Sequence, residues 1–127
     1  MKIYLAHPIT TQNNKSRQNL KFLKQQITDA GHTYIDPESY GLDDKIDYIG
    51  IVKRNKSDIL NSDIIILDLR FFSVGVSMEL LFANMNNITT VCIVNNEESP
   101  LSAWIRHNSS IVTTEDKIGA VLKYYAD

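Results

Sequence analysis

Glu79 is the side chain whose place in the sequence most favours chemistry. It lies within residues 73–80, which follow an apolar run at residues 64–69 and open a helix predicted over residues 76–86, with Glu79 in the first turn. A helix dipole favours an ionised carboxylate near the N-terminus, and an ionised, partly desolvated carboxylate can act as a nucleophile or base. An acid here can also serve only to complement the dipole, and the spacing leaves both interpretations open.

Asp58 is the second candidate acid. It falls on a helix predicted over residues 48–61, beside Ile59 and Leu60. If the side chain turns partly inward, it would suit a general acid that protonates a leaving group. The alternative is a solvated helix residue without a chemical role.

Hydroxyl groups and backbone amides lie close to the same turn. The backbone N–H groups from Gly75 to Ser77 would point towards an anion bound at the helix start. The hydroxyls of Ser73 and Ser102 could add hydrogen bonds to that anion. Serines in loops often only cap helices or form turns, so an anion site and simple capping are both open interpretations.

Several familiar kinds of site are missing from the sequence. The three histidines and one cysteine form no cluster with metal-ligand spacing, which argues against a zinc site. The phosphate-loop pattern G-x-x-x-x-G-K-[ST], the dinucleotide pattern G-x-G-x-x-G and the serine-nucleophile pattern G-x-S-x-G are also absent. We therefore predict neither a metal nor an organic cofactor.

Short apolar runs alternate with segments of helical periodicity along the chain. Strands are predicted at residues 2–6, 32–35, 63–69, 89–94 and 110–113, and helices at residues 15–30, 48–61, 76–86, 101–107 and from residue 114 onward. Because parallel strands need crossover connections, this order predicts an α/β fold. It is a five-stranded parallel sheet with helices on both faces, as in flavodoxin-like or Rossmann-like three-layer sandwiches. The second helix is predicted to face the core through Ile49, Val52, Ile59 and Leu60.

Ligands of such a sheet bind beyond the carboxyl ends of the strands. Three segments should therefore meet there, namely residues 7–10, 70–79 and 95–102. The acidic residues 38–47 form a longer connection than usual. They are either a lid over this crevice or simply a link.

The composition is ordinary for a globular protein, with 43% hydrophobic and 22% charged residues. The 127 residues predict one domain over residues 1–127, and the net charge of −2 gives no attraction to nucleic acid or anionic membranes. No run approaches the ~20 apolar residues of a membrane span, and the N-terminal apolar run is too short for a signal peptide. The lone Cys92 is predicted to be buried. We expect a cytoplasmic protein without nucleic-acid or membrane partners.

Four segments form a pattern that spans most of the chain. They are Ile-Tyr-Leu-Ala at residues 3–6, Asp-Ile-Leu-Asn-Ser-Asp at residues 58–63, Ser-Val-Gly-Val-Ser-Met-Glu-Leu at residues 73–80 and Leu-Ser-Ala-Trp-Ile-Arg at residues 101–106. In this order and spacing they resemble the nucleoside 2-deoxyribosyltransferase superfamily. Within it, the chain looks most like the 2′-deoxynucleoside 5′-phosphate N-hydrolases.

The resemblance implies a role for each matching residue. Glu79 matches the nucleophile that attacks C1′ of the deoxyribose, Asp58 the acid that assists departure of the base, and Tyr4 a tyrosine that lines the sugar site. Ser73 and Ser102 match serines that hold the 5′-phosphate. The second of these would come from a neighbouring subunit, which implies a homodimer or larger homo-oligomer with shared sites.

One segment departs from the N-hydrolase pattern. Those enzymes carry a Gly-rich loop after the first strand, whereas this chain has His-Pro-Ile-Thr at residues 7–10, which is closer to the Gly-Pro of the transferases. Because this segment occupies the place of that loop, the resemblance implies that His7 and Ile9 line the substrate site. In the opposite direction, the transferases use an Asp-Gly-Thr turn before the nucleophile, and this chain has Phe-Phe-Ser at residues 71–73.

The function implied by the resemblance is hydrolysis of the N-glycosidic bond of 2′-deoxynucleoside 5′-monophosphates, giving a free base and 2-deoxyribose 5-phosphate. Such cleavage passes through an oxocarbenium-like state that an adjacent carboxylate can trap, as in retaining glycosidases. If a second base replaces water, the same site transfers deoxyribose between bases. A nucleotide-binding module without catalysis is a further alternative, because a fold does not determine a function.

Overall fold

The computed structural model describes residues 1–9, 12–40 and 47–126. Thr10, which belongs to the predicted crevice segment, lies outside the described residues, and so does most of the predicted lid segment, residues 41–46. The start of that segment forms a 3₁₀ turn, Pro37–Tyr40, whose last residue lies near the candidate site described below.

The fold is the predicted α/β sandwich with an all-parallel sheet. The strands are β1 (Lys2–Ala6), β2 (Thr33–Ile35), β3 (Ile64–Asp68), β4 (Thr89–Ile93) and β5 (Ile111–Thr113), in the spatial order β2-β1-β3-β4-β5. The helices are α1 (Asn14–Asp29), α2 (Tyr48–Leu60), α3 (Val74–Met85), α4 (Ala103–Asn108) and α5 (Ile118–Ala126), with a second 3₁₀ turn at Glu115–Lys117.

Helices cover both faces of the sheet, so the central strands are apolar on both sides. Every residue of β3 is buried, and so is Cys92 in β4, as the sequence predicts. The core under α1 and α5 is built around Leu23, Ile27 and Leu122, and the core on the opposite face around Ile59 and Leu80. None of the helices in the described ranges is long and apolar enough to cross a bilayer.

The pleat of β1 decides which side chains reach the candidate site. Successive residues of a strand point to opposite faces of the sheet. Ile3 and Leu5 therefore join the core under α1 and α5, whereas Tyr4 and Ala6 join the core under α2 and α3. This alternation buries Tyr4 on the face of the sheet that carries α3, the helix of Glu79.

The inward face predicted for α2 is wrong in three of its four positions. Ile59 is buried, but Ile49, Val52 and Leu60 are 70%, 50% and 53% exposed. Ile59 is the one buried residue among the thirteen of α2. Three of the apolar residues that match the helical periodicity are exposed. The half-buried positions of α2 include polar residues such as Asp58.

Candidate active site

The candidate site is centred on a hydrogen bond between the sheet and α3. The hydroxyl of Tyr4 donates to Oε2 of Glu79 at 2.5 Å. Burial, followed by the nearby Glu79 carboxylate, raises the pKa of Tyr4 far above its usual range. The phenol therefore stays protonated and acts as a hydrogen-bond donor to the carboxylate. The structure thus brings together two of the residues predicted for the site.

The sequence predicts Glu79 in the first turn of its helix, and this prediction is wrong. Ser73 caps the helix and α3 begins at Val74, so Glu79 is the sixth helical residue and lies in the second turn. The helix dipole acts mainly within the first turn, so it is not the dominant influence. Instead, burial raises the pKa of Glu79 to about 7, against the opposing effects of the Tyr4 hydrogen bond and the nearby His7.

Asp58 lies near this pair and has a hydrogen bond of its own. It is half-buried, and its Oδ2 accepts from the hydroxyl of Tyr40 at 3.1 Å. Its carboxylate is close enough to Tyr4 to contribute to the raised pKa of that phenol. The structure therefore places Asp58 on the Tyr4 side of the site, in a solvent-exposed hydrogen bond to the end of the 3₁₀ turn.

Tyr40 and Arg54 are residues of this region that the sequence analysis missed. The guanidinium of Arg54 lies 4.0 Å from the ring centroid of Tyr40, a cation–π contact. Arg54 also opposes the rise in the pKa of Tyr4, so its charge reaches the site. The spacing of Arg54 and Asp58, one helical turn apart, could have indicated that both share a face of α2.

A groove of about 390 Å³ opens beside Glu79, between α2 and α3. Gly75 and Glu79 form part of its α3 wall, and Asn55 and Ile59 form part of its α2 wall. The remaining wall is largely apolar. Ligand sites commonly combine an apolar cavity with a few convergent polar groups, so this groove is a candidate binding site.

Ser73 and Ser102 both act as helix caps. The hydroxyl of Ser73 accepts from the Val76 amide at 3.3 Å, and that of Ser102 accepts from the Ile105 amide at 3.2 Å. A hydroxyl that accepts in this way still has a proton to donate. Capping and phosphate binding are therefore compatible for both serines, and the exposed Ser102 is accessible to a neighbouring molecule.

His7 belongs to a buried charged cluster at the end of β1. Its Nε2 lies 2.7 Å from Oδ1 of Asp36, while Nζ of Lys24 donates to Oδ2 at 2.6 Å. Burial alone would raise the pKa of Asp36, but the bonds from His7 and Lys24 outweigh it and hold that pKa well below its usual range. Ile9, the other residue predicted for this side, is half-buried.

The same cluster is a geometric candidate for a metal ion. His7, Asp36 and Glu38 offer ligand atoms within 4.8 Å of one another. Both oxygens of Asp36 are already engaged by His7 and Lys24, and Glu38 accepts from Gln12 at 2.8 Å. The ammonium of Lys24 therefore already supplies a positive charge to the Asp36 carboxylate. Asp36 was missed by the sequence analysis, although its place after β2 puts it at the carboxyl edge.

Arg70, which begins the segment expected at the crevice, is held in ion pairs with other residues of the protein. Its guanidinium donates to both carboxylate oxygens of the buried Asp68, at 2.9 and 3.0 Å, and also pairs with Glu115. This network joins the end of β3 to the turn before α5. It fixes the start of the segment that leads to Ser73 and leaves the guanidinium little capacity to bind a substrate.

Comparisons with known proteins support the fold. A 2-deoxyribosyltransferase from Bacillus psychrosaccharolyticus superposes with a TM-score of 0.78 at 18% identity, covering 94% of this chain and 90% of that one. The CMP N-glycosidase BcmB of Clostridium botulinum gives 0.68 at 14% identity, covering 97% and 99%. A conserved protein from Enterococcus faecalis V583 gives 0.75 at 20% identity, covering 97% of each chain.

At these low identities the likeness shows a shared fold and nothing finer. No protein-family model matches the sequence, and no curated protein matches it. The five-stranded three-layer architecture predicted from the sequence is confirmed.

The raised pKa of Glu79 predicts that Glu79→Gln stabilises the protein in a pH-dependent way. The native protein keeps a proton on Glu79 up to about pH 7, whereas the unfolded chain releases it near pH 4.5, so native stability falls between these values as the pH rises. Glutamine has no charge to desolvate. We expect the substitution to add about 1–3 kcal/mol more to the free energy of unfolding at pH 8 than at pH 4.5.

Urea denaturation at the two pH values measures this difference. Glu98→Gln, at an exposed position, is the matched control and should have the same small effect at both. An equal effect of Glu79→Gln at pH 4.5 and pH 8 would show that the Glu79 charge is not desolvated in the native protein.

Proposed function

We propose that this protein hydrolyses the N-glycosidic bond of 2′-deoxynucleoside 5′-monophosphates to a free base and 2-deoxyribose 5-phosphate. The observation that carries the proposal is the partly buried Glu79, held by the Tyr4 hydroxyl at the edge of a groove that can admit a ligand. The likeness in fold to a deoxyribosyltransferase and an N-glycosidase agrees with it. The small-molecule partner is a deoxynucleotide, and no cofactor takes part.

In this mechanism Glu79 attacks C1′ as the bond to the base breaks. The electron pair of the C1′–N bond leaves with the base, and the carboxylate forms a glycosyl ester with the sugar. Water then attacks C1′ and releases Glu79. A carboxylate with a pKa of about 7 is ionised in a large fraction of molecules at neutral pH, and Tyr4 holds it in one orientation.

Asp58 acts as the acid that assists departure of the base. It lies on the Tyr4 side of the site, with Tyr40 bonded to its carboxylate. Ser73 and the amides near Gly75, at the start of the twelve-residue α3, bind the 5′-phosphate, because a helix N-terminus offers unpaired N–H groups to an anion. His7 and Ile9 lie on the β1 side of the substrate.

Deoxyribosyl transfer between bases is the second candidate. The observation that favours it is the His-Pro pair after β1, where His7 is fixed by a buried bond to Asp36 instead of belonging to a Gly-rich loop. A rigid site on that side could hold a second base in place of water. The sugar chemistry at Glu79 would be the same.

The reaction itself is tested by incubating the protein with the four deoxynucleoside monophosphates and measuring free base and sugar phosphate. We expect release of base from at least one of them, and loss of at least ~10³-fold in Glu79→Gln, because the nucleophile is removed. Glu98→Gln should retain full activity.

Two other results would contradict the proposed hydrolysis and assign a different function. Base exchange between unphosphorylated deoxynucleosides, without release from any monophosphate, would assign the protein as a transferase. Binding of a nucleotide in calorimetry without turnover in either assay would make it a binding module.

Tyr4→Phe should shift the pH profile of the reaction. The Tyr4 hydrogen bond lowers the pKa of Glu79, so its loss raises that pKa further. We expect kcat/KM of the wild type to rise with pH through about 7, and the same limb in Tyr4→Phe to move upward by about one pH unit. Tyr124→Phe, at a 76% exposed position, is the control. If the limb does not move in Tyr4→Phe, the group whose ionisation controls kcat/KM is not Glu79.

We further propose that the protein is a homodimer in which Ser102 serves the site of the neighbouring subunit. Large apolar side chains are exposed on α2, α3 and α4, including Ile49, Met78, Met85 and Trp104. Exposed apolar surface of this kind marks interaction sites. The resemblance described above implies such sharing.

Complementation tests the shared site. Ser102→Ala should raise KM for the phosphorylated substrate about tenfold, and Glu79→Gln should be inactive. A mixed dimer then has one intact and one doubly impaired site, so coexpression should restore about a quarter of the wild-type rate at low substrate concentration. No recovery, with both variants folded, would place Ser102 outside the neighbouring site.

A further inference from the structure

Asn55 is a polar residue in the wall of the groove that contains Glu79, and its side-chain oxygen has no hydrogen-bond partner among the described residues. It lies on α2, one turn before Asp58, and lines the groove across from Gly75 and Glu79. Its Oδ1 is shielded from solvent and has no hydrogen-bond donor among the described residues. The walls on either side of it are mainly apolar.

An oxygen in this situation destabilises the ligand-free protein. A buried carbonyl without a donor loses its hydration and gains nothing in return. Buried polar groups of native proteins are nearly always satisfied, so each exception calls for an explanation, and a functional role is one of the common ones. Nothing among the described residues bonds to this oxygen, so the amide can turn about its broad terminal torsion towards a ligand in the groove without breaking a hydrogen bond at Oδ1.

We propose that the Asn55 side chain binds the substrate, with Oδ1 accepting a hydrogen bond from a donor group near C1′. This inference rests on the proposed function, since it places a deoxynucleotide beside Glu79. Two parts of that substrate carry a suitable donor, namely an N–H on the edge of the base and the 3′-hydroxyl of the sugar. Both present a hydrogen to a carbonyl oxygen.

The test removes the acceptor and asks what happens to activity and to stability. Asn55→Leu keeps the approximate size of the side chain and deletes the amide. We expect kcat/KM to fall about tenfold or more, because the substrate donor loses its partner. The thermal midpoint of the ligand-free protein should stay the same or rise, because an unsatisfied oxygen has been removed. A residue that only supports the fold would give the opposite pattern.

Gln26 supplies a matched control on the other face of the sheet. Its Oε1 is also buried without a donor, and it lies on α1, which packs on the side of the sheet opposite to α3. Gln26→Leu should therefore match Asn55→Leu in thermal midpoint while leaving kcat/KM unchanged. Asn55→Asp, which keeps an acceptor of the same size, should recover part of the activity that Asn55→Leu loses.

Substrate analogues identify the donor. The best nucleotide of the panel is compared with its base-methylated analogue (N3-methylthymine for thymidine monophosphate, N1-methylguanine for deoxyguanosine monophosphate) and with its 3′-deoxy analogue. On the analogue that lacks the true partner, the wild type and Asn55→Leu should become equally active. On the other analogue, the difference of about tenfold should persist.

The inference is overturned if Asn55→Leu is as active as the wild type on the parent nucleotide. It is also overturned if the loss is the same on the parent and on both analogues, or if the variant loses its oligomeric state, because the oxygen would then belong to a protein contact. Should Asn55→Leu fail to fold, Asn55→Ala takes its place.

A wild type that cleaves no substrate would refute the proposed function and not this inference. The role of Asn55 is then tested by calorimetric binding of the parent nucleotide and its analogues to the wild type and to Asn55→Leu. If the two proteins bind each nucleotide with equal affinity, the inference that Asn55 binds the substrate is overturned.

Discussion

The hydrogen bond from Tyr4 to Glu79 joins residues that are 75 positions apart in the sequence and fixes a helix to the central part of the sheet. Tyr4 is fully buried in a strand that is paired on both sides, so the phenol has a position set by the core. Glu79 takes its orientation from that phenol. The same burial that raises the pKa of the carboxylate also strengthens a hydrogen bond to it, so desolvation and orientation have one cause.

Two charged clusters flank this bond at the carboxyl edge of the sheet. On one side, Asp36 joins His7 at the end of β1 to Lys24 on α1. On the other, Arg70 joins Asp68 to Glu115. Buried charges of this kind are tolerated when they are paired and hydrogen-bonded. Both clusters tie a segment of the edge to its neighbours, so the loops on either side of the crevice are held by electrostatics as well as by packing.

The sequence predicts the fold well because strands and helices leave local signals. Runs such as residues 64–67 and 91–94 are apolar at every position, which is typical of a strand covered on both faces. Glu79 could be singled out because it follows such a strand by one short turn. Its environment could not be predicted, because α3 begins two residues earlier than its apolar pattern suggests, and Tyr4, which hydrogen-bonds the carboxylate, is remote in sequence.

The failures have a common physical origin in long-range contacts. The inward face of α2 is predicted wrongly because three of its four apolar residues are exposed, and which face of a helix is buried depends on tertiary contacts as well as on periodicity. Asp36 and Arg70 owe their roles to partners that periodicity does not reveal. Among the site residues, Asn55 and Tyr40 give no signal in the sequence beyond their chemical type.

The single buried residue of α2 also has a bearing on motion. Because Ile59 is the one fully buried residue of α2 and most of its other large apolar side chains are exposed, we expect this helix to open locally at a lower free energy than a strand buried along its whole length. The two walls of the groove are therefore unequal. The α3 wall is anchored by three buried residues, Val76, Leu80 and Ala83, whereas the α2 wall is anchored by Ile59. If ligands of different shape enter this groove, we expect the adjustment to occur on α2 and not at Glu79.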